Sequence, residues 1–202
     1  MTDATIFSVV QLGKYPATRA RGQEGRARLD DLLEGRAGLD LTIDFSGVEV
    51  MNISFADEFL GKFLTSHDFS ASSATVRVAG LNADNRYSVL VCVERRKTAV
   101  AVLEVDGSVS LLGDPILGMT FEVARDLIEF KASDVGAKLN LTPQNANNRL
   151  KRLVDVGALR KSQILGSARG GKEFAYSVAT PPEGGSTLSP AQRALAGGST
   201  RP

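Results

Sequence analysis

Amide and cationic side chains share one face of a helix that the sequence predicts over residues 143–156. Thr142 precedes Pro143, and a hydroxyl N-cap followed by proline at the first helical position is a strong start signal. The face predicted to be buried carries Ala146, Leu150, Leu153 and Val154 at helical spacing. The opposite face carries Gln144, Asn148 and Lys151, flanked by Asn145 and Arg152. Amides suit bidentate contact with adenine in a major groove, and the cations suit phosphates, so this helix is predicted to read DNA.

A second pair of cations lies downstream, in the glycine-rich stretch "SARGGKE". Arg169 and Lys172 are placed there between two predicted strands, at the tip of a hairpin. Glycines at such a tip let the chain approach a nucleic-acid backbone closely. These two residues are therefore predicted to contact phosphates, together with Lys151 and Arg152.

Acids and a serine lie in the stretch "DFSGVEVMNISFADEF", residues 44–59, where a strand leads into a helix. Ser54 and Asp57 have the spacing of a capping box, with Asp57 at the third helical position and Glu58 next to it. Ser54 is therefore predicted to be the N-cap, and phosphorylation of Ser54 is the alternative. The two acids would repel a phosphate there. They are adjacent in sequence and point about 100° apart, so they do not form a paired-carboxylate site.

No pattern in the sequence indicates an enzyme. His67 is the only histidine, Cys92 is the only cysteine, and the spacing of a metal site is absent. The glycines of "RARGQEGR" match neither a phosphate loop nor a dinucleotide fingerprint. Four arginines nearby are either a solvated surface or an anion or partner site: Arg19, Arg21, Arg26 and Arg28. We therefore expect a non-enzymatic protein without cofactor or metal.

The elements that carry these residues fall into two groups. The first group alternates strands (6–12, 41–45, 74–79) with helices (22–34, 55–64), continues with a helix or strand over 85–97, and ends in a hairpin (98–105 and 108–112). This alternation predicts an α/β fold with partly parallel pairing. The second group has helices over 121–130, 135–139 and 143–156, followed by two strands, which is typical of a winged helix-turn-helix. Phe121, Ala124, Leu127 and Ile128 are predicted to face inward on its first helix.

Charge is distributed unevenly between the two groups. Residues 1–119 contain 12 Lys/Arg and 16 Asp/Glu, whereas residues 120–180 contain 10 and 6. A basic half favours nucleic-acid contact. The predicted domains are 1–114, 115–180 and a flexible tail over 181–202, which is rich in Pro, Gly, Ser and Thr. Without an apolar run of membrane-spanning length or a signal peptide, the chain is expected to be cytoplasmic.

The stretch "ASDVGAKLNLTPQNANNRLKRLVDVGALRK" resembles bacterial winged helix-turn-helix regulators, and the resemblance covers residues 117–179. It implies binding of double-stranded DNA. A homodimer is expected, because one winged helix covers little sequence. This fold also serves as a protein-interaction module, in which case the polar helix face is only solvated.

The stretches "LTIDFSGVEVMNISFADEFLGKFL" and "GKYPATRARGQEGRARLDDLL" resemble STAS-like domains, relatives of the anti-sigma-factor antagonists, over residues 5–105. The resemblance implies docking to a kinase or ATPase of the Bergerat fold, with a serine in this loop as the phosphorylated switch. The sequence departs from that pattern, because Ile53 aligns with the phosphoacceptor, Asn52 with the preceding acid and Ser54 with the following position. We expect a DNA-binding regulator with a partner-docking edge at Asn52, Ser54, Asp57 and Glu58; an adaptor that docks such an ATPase is the alternative.

Overall fold

The computed structural model of the chain describes residues 4–164 and 173–180. Its centre is a five-stranded sheet in the order β1-β2-β3-β4-β5. The first four strands are parallel to their neighbours, and β5 is antiparallel to β4. The strands are β1 (Ala4–Ser8), β2 (Asp40–Asp44), β3 (Thr75–Ala79), β4 (Ala99–Leu103) and β5 (Val109–Gly113). The predicted α/β class and the hairpin of the last two strands are confirmed.

Helices connect the parallel strands and lie on one face of the sheet. Neighbouring parallel strands that follow each other in sequence need crossovers of one hand, which place every connecting helix on the same side. These helices are α1 (Arg19–Leu33), α2 (Ile53–Ala56), α3 (Lys62–Ser66), α4 (Phe69–Ser72) and α5 (Ala83–Arg95). One wide turn, Asp57–Gly61, joins α2 to α3 in a continuous helix. The core on this face contains Leu29 and Phe59 from the helices and Leu41, Val76 and Val100 from the strands.

The other face of the sheet is covered by the C-terminal unit. This unit consists of α6 (Pro115–Arg125), α7 (Ala132–Leu139), α8 (Pro143–Asp155) and the antiparallel strands β6 (Leu159–Ile164) and β7 (Glu173–Val178). Because side chains alternate along a strand, Val100 and Val102 enter the first core while Ala99 and Ala101 enter a second one. Phe121 and Leu150 pack in that second core. The C-terminal unit therefore forms a second layer, which packs on the face of the sheet opposite to the connecting helices.

Two polar contacts add to this apolar packing of the C-terminal unit on the sheet. The first is a buried ion cluster, in which the Asp40 carboxylate of β2 accepts hydrogen bonds from Arg77 of β3 and from Arg160 of β6. The second lies at Gly157, which follows α8 with a φ of +73° and accepts a hydrogen bond of 3.1 Å from the Val76 backbone amide. A Cβ on Gly157 would approach that amide nitrogen to 2.9 Å. Only glycine allows this close approach in a left-handed conformation.

Two sequence predictions about helix starts are wrong. The helix predicted over 121–130 begins at Pro115, because the Asp114 carboxylate accepts from the Ile116 amide at 2.8 Å and proline occupies the first position. It ends at Arg125, so Ile128, predicted to face inward, is 95% exposed. The helix predicted to be capped by Ser54 begins after Asn52, whose side chain accepts from the Phe55 amide at 2.8 Å.

The other elements lie close to their predicted positions. The apolar run of residues 85–97, for which a strand remained open, forms α5 and is a helix. The first strand is shorter than predicted and is followed by a single 3₁₀ turn, Val9–Leu12. No helix in the described part of the chain is long and apolar enough to cross a membrane. The predicted tail, residues 181–202, lies outside the described residues.

Candidate nucleic-acid interface and docking edge

The helix pair α7 and α8 is joined by a tight turn. Asn140 adopts a left-handed conformation with φ of 51°, and the chain reaches the α8 cap Thr142 two residues later. The Thr142 hydroxyl accepts from the Asn145 amide at 3.3 Å, as the sequence predicted for this cap. Gly136 of α7 faces Ala146 of α8, and a Cβ on Gly136 would be in ordinary van der Waals contact with the alanine Cβ, at 3.5 Å. The short turn and the small residues fix the orientation of α8.

The polar face of α8 is exposed, and the apolar face is buried as predicted. Gln144 donates from its amide nitrogen to the Asn148 side-chain oxygen over 2.9 Å, so the two form a pair on the surface. Asn145 lies exposed beside them. Asn147 is exposed as well and donates to the Pro143 carbonyl; its position on the flank of the helix did not single it out in the sequence. The exposed face thus presents a row of amides.

The two cations predicted to contact phosphates on α8 are paired with acids of the chain. Lys151 lies 2.6 Å from an Asp155 carboxylate oxygen, one turn along the helix. Arg152 lies 2.8 Å from Asp114, the residue that caps α6. Exposed pairs of this kind contribute about 0–1 kcal/mol, so a phosphate could replace either acid at low cost. Arg169 and Lys172 lie outside the described residues.

A cleft of ≈ 260 Å³ runs beside α8, between this helix, β6, β7 and α4. Lys151 and Asn147 line it from α8, and Ser70 lines it from α4 of the first layer. Lys161 of β6 also lines the cleft and lies 3.8 Å above the Phe174 ring. Sequence reasoning missed Lys161, because a lysine on the exposed face of a strand has no distinguishing pattern.

The predicted docking edge lies at the start of α2. Asn52 and Ser54 are exposed there. Asp57 forms a bidentate ion pair with Arg96 at 2.6 and 2.8 Å, and the hydrogen bond from Arg96 lowers the pKa of Asp57. Although Asn52 is exposed, both polar ends of its side chain are engaged, because it accepts from the Phe55 amide and donates to the Ala17 carbonyl.

Glu58, the fourth residue of this edge, is only 8% exposed. Its carboxylate lies 2.7 Å from Lys62 and 3.8 Å from Arg26. Asp57 and Glu58 therefore serve internal ion pairs that hold α1, the wide turn and α5 together. Arg26, one of the four arginines noted in the sequence, is used in the same way. Two others, Arg21 and Arg28, pair with Glu24 on the same helix.

Two asparagines of α5 shape the loop before this edge. Asn85 is fully buried, accepts from the Met51 amide at 3.0 Å and donates to the Val48 carbonyl at 2.9 Å. Asn82 caps α5 and donates to the Glu49 carbonyl at 2.8 Å. The sequence did not predict these loop contacts, because an asparagine near a helix start indicates only an N-cap. They make the loop a fixed part of the surface.

Exposed apolar side chains flank the docking edge. Tyr15 is 64% exposed and Val50 is 49% exposed. The two lie on adjacent loops, because the amides of Glu49 and Val50 both donate to the Lys14 carbonyl. The backbone N–H of Asn52 donates to the Pro16 carbonyl and so links the same two loops. The edge is therefore a mixed apolar and polar surface.

His67 has a packing role in the structure. Its ring packs against both Phe63 and Phe69, with centroid distances of 5.0 and 5.9 Å, and the two phenylalanine rings also contact each other at 5.7 Å. One ring nitrogen lies 3.6 Å from the Asp30 carboxylate. Among residues 4–164 and 173–180, no group of three or more His, Cys, Asp or Glu side chains could hold a metal ion.

Comparison with known proteins identifies one part of the chain. Neither a curated protein nor a solved structure matches it. Residues 24–86, from α1 to the first turn of α5, match the family model described as a STAS-like domain of unknown function (DUF4325). The five-stranded sheet and its connecting helices fit that description, so the chain carries a STAS-like domain.

Proposed function

We propose that the chain is a DNA-binding transcriptional regulator whose C-terminal unit, residues 115–180, is a winged helix-turn-helix. The observation that carries the proposal is the amide row of α8, formed by Gln144, Asn145 and Asn148 on a helix whose other face is buried. Helices α7 and α8 with their tight turn are the helix-turn-helix, and β6 and β7 are the wing. In such a unit the second helix enters the major groove, where amides read adenine.

The cations of this surface serve the phosphates. Lys151, Lys161 and Arg152 are arranged along the amide row and the cleft beside it. DNA phosphates would replace Asp155 and Asp114 as partners of Lys151 and Arg152. This exchange predicts binding that weakens strongly with salt, since each phosphate contact releases counterions from the duplex.

The test is binding of the full chain to DNA that is first selected from a random pool. Lys151→Ala should weaken binding to all sequences alike and lower the salt slope by about one. Asn148→Ala should weaken binding only to the selected site, roughly 5- to 150-fold for the ~1–3 kcal/mol of one bidentate base contact. Arg95→Ala, an exposed cation at the end of α5, is the matched control and should change nothing. Absence of DNA binding at low salt refutes the proposal.

A second function is favoured by the docking edge. We propose as the alternative that the STAS-like domain is an adaptor that binds an ATPase or kinase of the Bergerat fold. The exposed Tyr15 and Val50 beside Asn52 and Ser54 support it, because exposed apolar side chains rimmed by polar ones are typical of protein interfaces.

Calorimetric titration with a purified ATPase of the Bergerat fold tests the adaptor. Val50→Asp and Ser54→Glu should each reduce affinity at least tenfold without a change in melting temperature. Asp57→Ala is the control, because it removes an internal ion pair and should reduce stability more than affinity. Unchanged affinity in both edge variants would exclude this surface as the docking site.

A further inference from the structure

Strand β1 forms an open edge of the sheet. It pairs with β2 on one side, and no described strand pairs with its other side. Alternate residues of a parallel strand direct their backbone N–H and C=O groups to opposite sides, so about half of those in β1 point outward. Natural edge strands are commonly protected by charges, proline or bulges. The five residues Ala4–Ser8, "ATIFS", contain neither charge nor proline.

The central residue of this strand is an exposed isoleucine. Ile6 is 52% exposed, whereas its neighbour Phe7 is buried in the first core. Ile6 is the register partner of Thr42, which lies two residues after Asp40 on β2. Since strand side chains alternate, Ile6, Thr42 and Asp40 share one face of the sheet, the face that carries the C-terminal unit. The second layer leaves this apolar side chain uncovered.

We propose that a second copy of the chain covers this edge, with the two β1 strands pairing antiparallel about Ile6. In that register Ile6 opposes Ile6 of the other copy, Thr5 opposes Phe7, and Ala4 opposes Ser8. The arrangement is self-complementary, as a twofold interface requires. It satisfies the outward backbone groups and buries the two exposed isoleucines against each other. It also brings no like charges of the strands together.

The pairing has a consequence for the C-terminal units. A twofold axis normal to the sheet keeps the same face of both copies on the same side. The two sheets would form one continuous ten-stranded sheet, with both C-terminal units on one side of it. If those units bind DNA as proposed above, two α8 helices face one duplex and the preferred site is a palindrome. The dimer itself does not depend on that function.

Cysteine crosslinking in the absence of DNA tests the register. Directly opposed residues of an antiparallel pair have Cα atoms about 4.5–5.5 Å apart, which is within the reach of a disulfide. Ile6→Cys should therefore form a covalent dimer under mild oxidation. Thr5→Cys is the matched control, because its two copies would be offset by about 6.6 Å along the strands and should not link. The natural Cys92 is buried and should not interfere.

Mass measurement with charge variants tests the interface independently. The purified chain should have twice its monomer mass of 21.4 kDa, and dilution should dissociate it. Ile6→Lys and Ile6→Glu should each be monomeric, and a mixture of the two should recover the dimer. A monomer at every concentration overturns the proposal, as does a dimer that survives Ile6→Lys or an Ile6→Cys variant that does not link. None of these measurements involves DNA, so they fail or succeed separately from the proposed function.

Discussion

Replacing Asp40 by asparagine removes the carboxylate that Arg77 and Arg160 share between the two layers. Both Asp40 and Arg77 are 1% exposed, and the Arg77 guanidinium donates to Asp40 over 2.6 Å. Burial, together with the nearby charge of Arg160, lowers the pKa of Arg77 to about 10. Arg77 therefore remains charged at neutral pH and needs the Asp40 charge beside it.

The magnitude follows from the burial of the two partners. Removing one partner of a buried ion pair costs about 3–5 kcal/mol, because the other charge stays buried without compensation. For a chain of 202 residues this corresponds to a fall of roughly 6–20 °C in melting temperature. Arg160→Ala should cost only about 1 kcal/mol, since the Arg160 side chain is 36% exposed and solvent screens its charge.

The assay is urea unfolding followed by far-ultraviolet circular dichroism, because the chain has no tryptophan. The double variant Asp40→Asn/Arg77→Met should be more stable than the sum of the single losses predicts, since it leaves no buried cation. A loss below about 1 kcal/mol in Asp40→Asn, or a loss equal to that of Arg160→Ala, would refute the reasoning. Either result would mean that Arg77 does not depend on Asp40.

Three further predictions concern positions fixed by single contacts. Gly157→Ala should destabilise the chain by at least ~1 kcal/mol in urea unfolding, because it introduces a side chain at positive φ against the backbone of β3. Asp57→Asn should reduce stability at pH 7, because the hydrogen bond from Arg96 lowers the pKa of Asp57 in the folded state. The difference from the wild type should be complete above the ordinary pKa of aspartate, shrink as the pH falls below it, and vanish below the lowered pKa of the folded state. Asn52→Ala should cost about 1 kcal/mol of stability, whereas Ser54→Ala should be neutral, because Asn52 is the helix cap.

At some helix starts the capping residues and the apolar pattern predict the same boundary, and at others they predict different ones. The Thr142-Pro143 start of α8 was predicted correctly, because cap and proline lie directly before a periodic apolar face. Asp114-Pro115 is an equivalent start signal, but the apolar residues up to Ile128 favour a later helix in the sequence pattern. At α2 the capping-box spacing indicated Ser54, but Asn52 is the cap, because its contacts with the neighbouring loop hold it at the start of the helix.

The sequence by itself determined the alternation of strands and helices that marks the α/β class and the amide row of α8, because both follow from periodicity and capping along the chain. It left residues 85–97 open between helix and strand. Only the tertiary structure decided which charges are available. Asp57, Glu58, Lys151 and Arg152 looked alike as surface charges, yet each has a partner that is set by chain folding or by the helix turn. The tertiary structure also decided that the C-terminal unit packs on the sheet. In a parallel sheet whose strands follow in sequence order, the connecting helices cover one face, and the other face stays open until another unit covers it. Asp40 and Arg77 lie on two neighbouring strands, β2 and β3. They meet Arg160 only because the C-terminal unit, which carries Arg160, packs on this face of the sheet.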